Sequence, residues 1–232
     1  MTELEYPKID TLYLREGNRH VNVLKLTRPE FEIIKKWTIT EKIHGRNTRT
    51  TIYKNGDVEY GGKTDDAEMP DQLLEFLRKI FTPEKMRETF WIDPDDIPES
   101  ATIYGEGYGP KMVPGSGAYR SDVSFRLFDC LVIGKSGKWW LERDSLENIA
   151  RKLGIKCVPI IGYIIGLPIN ASDIESIFGK NYRSSAGSHS IVAAEECGDI
   201  NVRPEGIVAR SEPLLFNRKG DRVIWKLKIK DF

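Results

Sequence analysis

The sequence predicts an α+β fold of mainly antiparallel sheets with flanking helices. Runs that alternate polar and apolar residues, such as Trp37–His44 and Val223–Lys230, are typical of half-buried strands. Asn55–Gly56 lies between two further strand-like runs and is typical of the tight turn that joins antiparallel neighbours. Asp71–Ile80 instead places its apolar residues at helical spacing, so helices accompany the sheets.

The composition indicates a globular protein whose net charge does not by itself point to nucleic acid. The 232 residues are 40% hydrophobic and 30% charged, and 35 Lys and Arg balance 35 Asp and Glu. A chain of this length can bury a core that is stable without disulfides or structural metals. A strongly basic chain is excluded, although a local cluster of Lys and Arg can still bind phosphate.

Cysteine usage and hydropathy indicate a reducing compartment. Cys130, Cys157 and Cys197 are widely spaced and odd in number, which fits neither a disulfide framework nor a zinc site. We therefore expect reduced thiols. No apolar run approaches the length of a membrane span, and the acidic N-terminal segment is unlike a signal peptide. We expect a cytoplasmic protein without a membrane partner. A virus-encoded protein that acts inside its host cell also fits this expectation.

The remaining elements follow from the same patterns. Ser124–Ile133 is almost continuously apolar, which predicts an internal strand. Residues 110–121 are rich in Gly, Pro and Ser and predict a mobile loop. Thr82 followed by proline predicts a helix start. Further strands are predicted over 101–104 and 205–210, and further helices over 144–153 and 172–179.

Lys42 stands near the end of the strand-like run Trp37–His44, and Gly45 follows. In a strand that continues to His44, Lys42 and His44 would project from one face. Glu41 and Ile43 would then project from the other. Gly45 would end the strand and let the backbone approach a ligand closely. A lone lysine at a strand end is most often solvated, so a chemical role for Lys42 depends on motifs further along the chain.

The last strand alternates strictly. Trp225, Leu227 and Ile229 share one face, while the opposite face carries Lys226, Lys228 and Lys230. Two lysines at this spacing could hold a phosphate and offset developing charge. They could equally form the wet face of an edge strand, where lysines discourage aggregation. The pattern alone leaves both interpretations open.

Three acidic residues stand in unusual contexts. Glu106 lies between glycines at a strand end, and Glu205 precedes a predicted strand. Each could bind a ligand or be an exposed surface carboxylate. Asp129 lies inside an apolar strand and therefore needs a partner, for which a basic active-site residue is a candidate. Its neighbour Phe128 could stack on a flat base or belong to the core.

Five motifs follow one another in a fixed order over most of the chain: Lys42–Gly45, Tyr104–Gly107, Leu127–Asp129, Glu205–Val208 and Lys226–Lys228. Together they resemble the covalent nucleotidyltransferases, a superfamily of ATP-dependent RNA and DNA ligases and mRNA capping enzymes. Within it, His44, Asn47 and Glu41 are most similar to the RNA ligase 2 branch.

This resemblance implies an ATP-dependent RNA ligase that uses Mg²⁺ or Mn²⁺ and seals 3′-hydroxyl and 5′-phosphate RNA ends. Lys42 would form a lysyl-adenylate, Lys226 and Lys228 would hold the α-phosphate, and Glu205 would bind the metal. The remaining residues that the resemblance assigns to ligand binding are Glu41 (adenine), His44 (triphosphate), Asn47 (phosphate or RNA end), Lys63 (where the family often has arginine), Glu106 (ribose), Phe128 (adenine face) and Asp129.

We expect one nucleotidyltransferase domain over residues 1–232, without a C-terminal oligonucleotide-binding or helical domain, since Phe232 lies only four residues past Lys228. Either this domain suffices, or a partner protein supplies the missing contacts. The RNA could be a nicked duplex or a single strand. The alternatives are a DNA ligase-like enzyme, a capping-type nucleotidyltransferase, and a non-catalytic module that binds nucleotides or RNA ends.

Overall fold

A computed structural model describes residues 4–17, 20–168, 171–178 and 189–231. The chain divides into two compact units. The first comprises Met1–Pro7 and His44–Val158, and the second comprises Lys8–Ile43 and Pro159–Phe232. None of the helices in the described part has the length and apolar character needed to cross a membrane.

Runs of strands and separate groups of helices follow one another along the chain, as in an α+β protein. The strands are β1 (Asp10–Thr11), β2 (Tyr13–Glu16), β3 (His20–Leu26), β4 (Lys36–Lys42), β5 (Arg46–Tyr53), β6 (Val58–Gly62), β7 (Ser100–Tyr108), β8 (Ser124–Gly134), β9 (Gly137–Trp140), β10 (Lys156–Cys157), β11 (Ile160–Ile165), β12 (Gly206–Ser211) and β13 (Ile224–Lys228). The α-helices are α1 (Asp71–Ile80), α2 (Pro83–Phe90), α3 (Arg143–Leu153), α4 (Ala171–Phe178) and α5 (Ile191–Cys197). Short 3₁₀ turns cover Pro29–Ile33, Ser116–Ala118 and Ile229–Asp231.

The first unit is a sheet in the order β10-β8-β7-β5-β6, with β9 also paired to β8. All of its pairs are antiparallel except β10 with β8. Apolar faces of α1, α2 and α3 pack on one side of this sheet and form its core. Buried members of that core include Leu73, Leu77, Met86, Ile103, Leu127, Leu146 and Leu153.

The second unit is a sheet in the order β1-β13-β12-β4-β11, together with the separate pair β2 and β3. Only the pairing of β1 with β13 is parallel in this five-stranded sheet. Its core centres on Trp37 and Trp225, whose ring centroids lie 5.6 Å apart. Ile174 and Phe178 of α4 belong to the same buried cluster.

Most sequence-predicted elements are confirmed. The α+β class holds, α1 covers the predicted residues, and Thr82 caps α2. All three cysteines are free thiols. The hairpin connects β5 and β6, but only Gly56 in its turn has a positive φ. The predicted end of α4 at residue 179 lies outside the described residues.

Two predictions are wrong in detail. β4 ends at Lys42 rather than at His44, so strand alternation does not place these two residues on one face. β13 ends at Lys228, and Lys230 lies in the following 3₁₀ turn. Residues 110–121 form a loop as predicted, apart from one 3₁₀ turn, and this loop is a packed segment in which Met112 and Tyr119 are buried. Its mobility stays a prediction.

Candidate functional site

Three adjacent strands of the second unit bring two of the candidate lysines to one place. Gly206 on β12 lies opposite Lys42 on β4 and opposite Lys228 on β13. Glu205 immediately precedes Gly206, and its backbone N–H donates to the Lys42 carbonyl at 3.1 Å. Its own carbonyl accepts from the Ile229 N–H at 3.1 Å. The sheet register therefore fixes Glu205 between the two lysine-bearing strands.

The Glu205 carboxylate forms an ion pair with each of these lysines. Lys42 Nζ contacts Oε2, and Lys228 Nζ contacts Oε1. The side chains of both lysines are 21% exposed and that of Glu205 is 12% exposed. Burial alone would raise the pKa of the Glu205 carboxyl, but Lys42 and Lys228 together hold that pKa below its ordinary value. Two ammonium groups on one carboxylate leave a net positive charge, which suits a phosphate ligand.

Gly206 is required by this packing. A Cβ atom at this position would overlap the Leu227 carbonyl oxygen and lie 2.7 Å from Lys228 Cα. Any side chain here would push β12 away from β13 and separate Glu205 from Lys228. Glycine therefore follows Glu205 in this motif for a steric reason.

Lys226 lies two residues before Lys228 on β13, so both side chains project from the same side of the strand. It is opposite Val208 on β12 and Thr11 on β1, and it is half-buried. Because β1 covers the outer side of β13, this lysine does not belong to an edge strand. The edge-strand interpretation of the lysine face is therefore wrong.

Glu41 is 2% exposed and is engaged by α5. Its Oε1 accepts from Ser190 Oγ at 2.5 Å, and its Oε2 accepts from the Ile191 and Val192 N–H groups at 2.8 and 3.2 Å. A carboxylate at a helix N-terminus satisfies otherwise unpaired N–H groups and is stabilised by the helix dipole. Sequence analysis missed this contact, although Ser190 before an apolar run is a recognisable N-cap signal.

The first unit carries a second group of candidates. Asn47 on β5 lies directly opposite Glu106 on β7. Asn47 Oδ1 is buried and has no hydrogen-bond partner among the residues that the structure describes. A Cβ atom on Gly45 would overlap the Gly107 carbonyl oxygen and lie 3.0 Å from Glu106 Cγ. Gly45 thus allows two chain segments of this unit to approach each other beside Glu106.

His44 contacts the packed segment 110–121. Its backbone N–H donates to Tyr119 Oη at 3.3 Å, and its Nε2 lies 2.9 Å from the Pro114 carbonyl oxygen. These contacts orient the imidazole ring.

Asp129 is 1% exposed and accepts a hydrogen bond from Tyr6 Oη at 2.7 Å. The tyrosine ring also contacts Phe128 edge-on, with centroids 5.1 Å apart. Sequence analysis expected a basic partner for Asp129 and did not single out Tyr6. The Tyr6 N–H donates to the carbonyl of Lys63, whose side chain is exposed, at 3.2 Å. Tyr6 therefore links two of the predicted ligand-binding positions.

A divalent metal would find one suitable carboxylate in the second-unit group. The described residues contain no cluster of three or more His, Cys, Asp or Glu side chains that could hold a metal. Mg²⁺ commonly keeps several waters and uses one or two protein carboxylates beside substrate phosphates. Glu205 fits this role because a bound phosphate could pair with the two lysine ammonium groups in its place. The carboxylate could then bind the metal.

Comparison with known proteins identifies a matching family and similar folds. Residues 35–228 match the family model described as RNA ligase. A mutant Naegleria gruberi RNA ligase solved with ATP and Mn has 18% identity and a TM-score of 0.57, covering 96% of this chain and 62% of that one. The same ligase with PPi has 18% identity and a TM-score of 0.57, covering 98% and 60%. An archaeal ATP-dependent RNA ligase has 15% identity and a TM-score of 0.53, covering 97% and 48%.

These likenesses establish the fold. The chain spans about six tenths of the length of the Naegleria structures and about half of the archaeal one. No curated protein matches the chain.

Proposed function

Since the chain belongs to the RNA ligase family, we propose that it is an ATP-dependent ligase that joins 3′-hydroxyl and 5′-phosphate RNA ends. The observation that carries this proposal is the group formed by Lys42, Glu205 and Lys228. A partly buried lysine is held beside a second cation and a carboxylate, which is the arrangement that nucleophilic attack on a phosphate requires. The Naegleria ligase solved with ATP and Mn supports the choice of nucleotide and metal.

In the first step, Lys42 Nζ attacks the α-phosphorus of ATP. The new bond joins nitrogen to phosphorus, the bond from the α-phosphorus to the bridging oxygen breaks, and pyrophosphate leaves. Attack requires the neutral amine, which loses its proton to solvent. In the structure Lys42 Nζ pairs with the Glu205 carboxylate, so this contact must be released before Nζ can attack.

Lys228 and Lys226 would bind the α-phosphate. Both project from the same side of β13, and Lys228 is already positioned beside Lys42 by the shared carboxylate. Their charges would offset the negative charge that accumulates during transfer. Mg²⁺ or Mn²⁺, held by Glu205 directly or through water, would neutralise the phosphates and favour in-line attack.

The first-unit residues would bind the rest of the nucleotide and the RNA end. Asn47 offers a buried acceptor beside Glu106, which suits a ribose or terminal hydroxyl. Phe128 would stack on adenine, and Tyr6 contacts both the Phe128 ring and the Asp129 carboxylate. His44 and Lys63 remain proposed contacts to phosphate. Glu41 is predicted from the family resemblance to recognise adenine, but its contacts to α5 favour a positioning role.

The second and third steps transfer AMP to an RNA 5′-phosphate and then to solution. An oxygen of the RNA 5′-phosphate attacks the phosphorus of the lysyl-adenylate, the phosphorus–nitrogen bond to Lys42 breaks, and an adenylylated RNA end forms. The 3′-hydroxyl then attacks the 5′-phosphorus of that end, the bond from this phosphorus to the oxygen that bridges to AMP breaks, and AMP leaves as the hydroxyl proton passes to solvent. The substrate is a nicked duplex or a single strand. The proposal includes a partner protein that adds contacts to the RNA.

The test is transfer of label from ATP carrying ³²P at the α-phosphate, in the presence of Mg²⁺. The wild-type protein and a Lys35→Ala control, in which an exposed lysine is removed, should acquire acid-stable label. Lys42→Ala should acquire none. Absence of label in the wild type, with ATP still bound, would overturn the proposal and leave a binding module.

Two further readouts separate the related activities. Labelling by GTP instead of ATP would indicate a capping-type enzyme. Chasing the labelled protein with 5′-phosphorylated RNA or DNA ends then identifies the acceptor, and joining of DNA alone would indicate a DNA ligase.

A further inference from the structure

The outer strand of the second-unit sheet, β11, has an unusual composition for a sheet edge. It pairs with β4 on one side, and among the described residues no strand pairs with its other side. Its six residues, 160–165, include no charged side chain and no proline. Edge strands are normally protected against pairing by charges, proline or bulges. Only a register shift between Ile160 and Gly162 disturbs this strand.

One face of β11 is apolar and open to solvent. Ile161, Tyr163 and Ile165 are 38%, 59% and 91% exposed, while Ile164 packs against the core. Lys36 Nζ lies 5.1 Å from the centre of the Tyr163 ring, a cation–π contact that holds the ring in place. The exposed face therefore offers three large apolar side chains in a row.

The backbone of β11 is also available for pairing. The Gly166 N–H donates to the Lys35 carbonyl at 2.8 Å, which shows that Gly166 faces β4. In an antiparallel pair, inward- and outward-facing residues alternate, so Tyr163 and Ile165 direct their N–H and C=O groups away from β4. No described residue forms a hydrogen bond with these outward groups.

We propose that the outer edge of β11 pairs with the same edge of a second copy of this chain, around a two-fold axis through Tyr163. The exposed side chains are the same in either direction, with isoleucine on each side of Tyr163. An antiparallel pair centred on Tyr163 places Ile161 beside Ile165 of the second copy at both ends. Tyr163 would exchange both main-chain hydrogen bonds with its counterpart. This self-complementarity is what a two-fold interface requires.

The size of the contact predicts a weak dimer. A strand of six residues is about 20 Å long, so edge pairing would bury less than the roughly 1,200 Å² of a standard stable interface. Dimerisation should therefore depend on protein concentration. Because β11 has no charged side chain, self-pairing meets no charge repulsion within the strand.

The test is the molecular mass of the whole chain in solution, measured by sedimentation or light scattering. The concentration should run from about 1 to about 200 µM, which covers affinities expected of small interfaces. The mass should rise from 26.5 kDa toward twice that value. Ile165→Lys should stay monomeric throughout. Ile92→Lys, which alters a 77% exposed isoleucine of the first unit, should dimerise like the wild type.

A second variant tests the backbone contact. Tyr163→Pro removes an outward N–H without removing a hydrogen bond to β4, and proline is tolerated at such edge positions. It should be monomeric, with an unchanged circular dichroism spectrum; if it fails to fold, Ile165→Lys decides, because that side chain is almost fully exposed. The proposal is overturned if the wild type remains at 26.5 kDa, if it forms larger aggregates instead of a dimer, or if Ile165→Lys dimerises normally.

Discussion

Lys42 and Glu205 form an ion pair at the point where the ends of β4 and β12 lie side by side. The same carboxylate pairs with Lys228, so one acidic side chain positions the proposed nucleophile and a proposed phosphate ligand together. Removing Glu205 would leave two partly buried ammonium groups to repel each other. The free energy of folding and the proposed chemistry therefore depend on the same three side chains.

The first prediction concerns acid stability. The folded-state pKa of Glu205 lies below its ordinary value of about 4.5, so its contribution to stability is present above pH 4.5 and is lost as the pH falls through the folded-state value. Glu205→Gln should lower the free energy of unfolding by about 1 to 3 kcal/mol at pH 7, and by progressively less below pH 4.5. Urea unfolding at several pH values measures this difference. A difference that stays constant down to pH 3 would contradict the assignment.

The second prediction separates Lys228 from the nearby Lys230. Lys228 pairs with Glu205, whereas Lys230 is exposed in the 3₁₀ turn that follows β13. Lys228→Ala should slow transfer of label from ATP to the protein by about 100-fold or more. Lys230→Ala should change it by less than about twofold, as expected for a surface residue without a role. Equal rates for the two variants would exclude Lys228 from the proposed chemistry.

The third prediction concerns the Glu41 cap on α5. Glu41→Ala removes the acceptor for Ser190 Oγ and for two backbone N–H groups, so the free energy of unfolding should fall by about 2 kcal/mol. Glu75→Ala, which alters an exposed glutamate of α1, should change it by less than about 0.5 kcal/mol. Denaturant unfolding followed by circular dichroism compares them. If Glu41→Ala is as stable as its control, the cap contributes nothing.

The fourth prediction uses the unpartnered oxygen of Asn47. Because Asn47 Oδ1 has no partner in the described structure, Asn47→Ala should lower the free energy of unfolding by less than about 1 kcal/mol. If this oxygen binds substrate, the rate of RNA joining should nevertheless fall by about tenfold or more. Asn148→Ala, which alters an exposed residue of α3, should leave both quantities unchanged. A loss of stability without a loss of joining would indicate a structural role.

Local patterns predicted the elements of this protein, while long-range contacts decide the site. The helical spacing of Asp71–Ile80 and the alternation of Trp225 and Leu227 depend only on neighbours, and both predictions hold. The hydrogen bond from Tyr6 to Asp129 joins residues 123 apart, and that from Ser190 to Glu41 joins residues 149 apart. No periodicity encodes such pairs, because they depend on strand order and on segments that meet only in the folded chain.

The C-terminal end of β4 likewise depends on tertiary contacts and not on the local pattern. Alternation extends through His44, but pairing with β12 ends at Lys42, where Gly206 stands opposite. The strand ends where its hydrogen-bonded pairing with β12 ends, although the alternating hydrophobic pattern continues. The lysines were found from their motifs, yet their common partner Glu205 follows from the order β4-β12-β13, which a single sequence does not reveal.

The position of β4 between β11 and β12 determines when during synthesis the second-unit sheet can form around Lys42. Both of its neighbours are encoded more than a hundred residues after Lys42, at Ile160–Ile165 and Gly206–Ser211. Proteins are synthesised from the N-terminus, so the ribosome releases Lys42 long before the strands that will hold it. Lys228 must also emerge before Glu205 can pair with both lysines. A nascent chain that has not yet reached residue 228 therefore carries Lys42 without the partners of the proposed site, and the proposed adenylation must wait until Lys228 has been made.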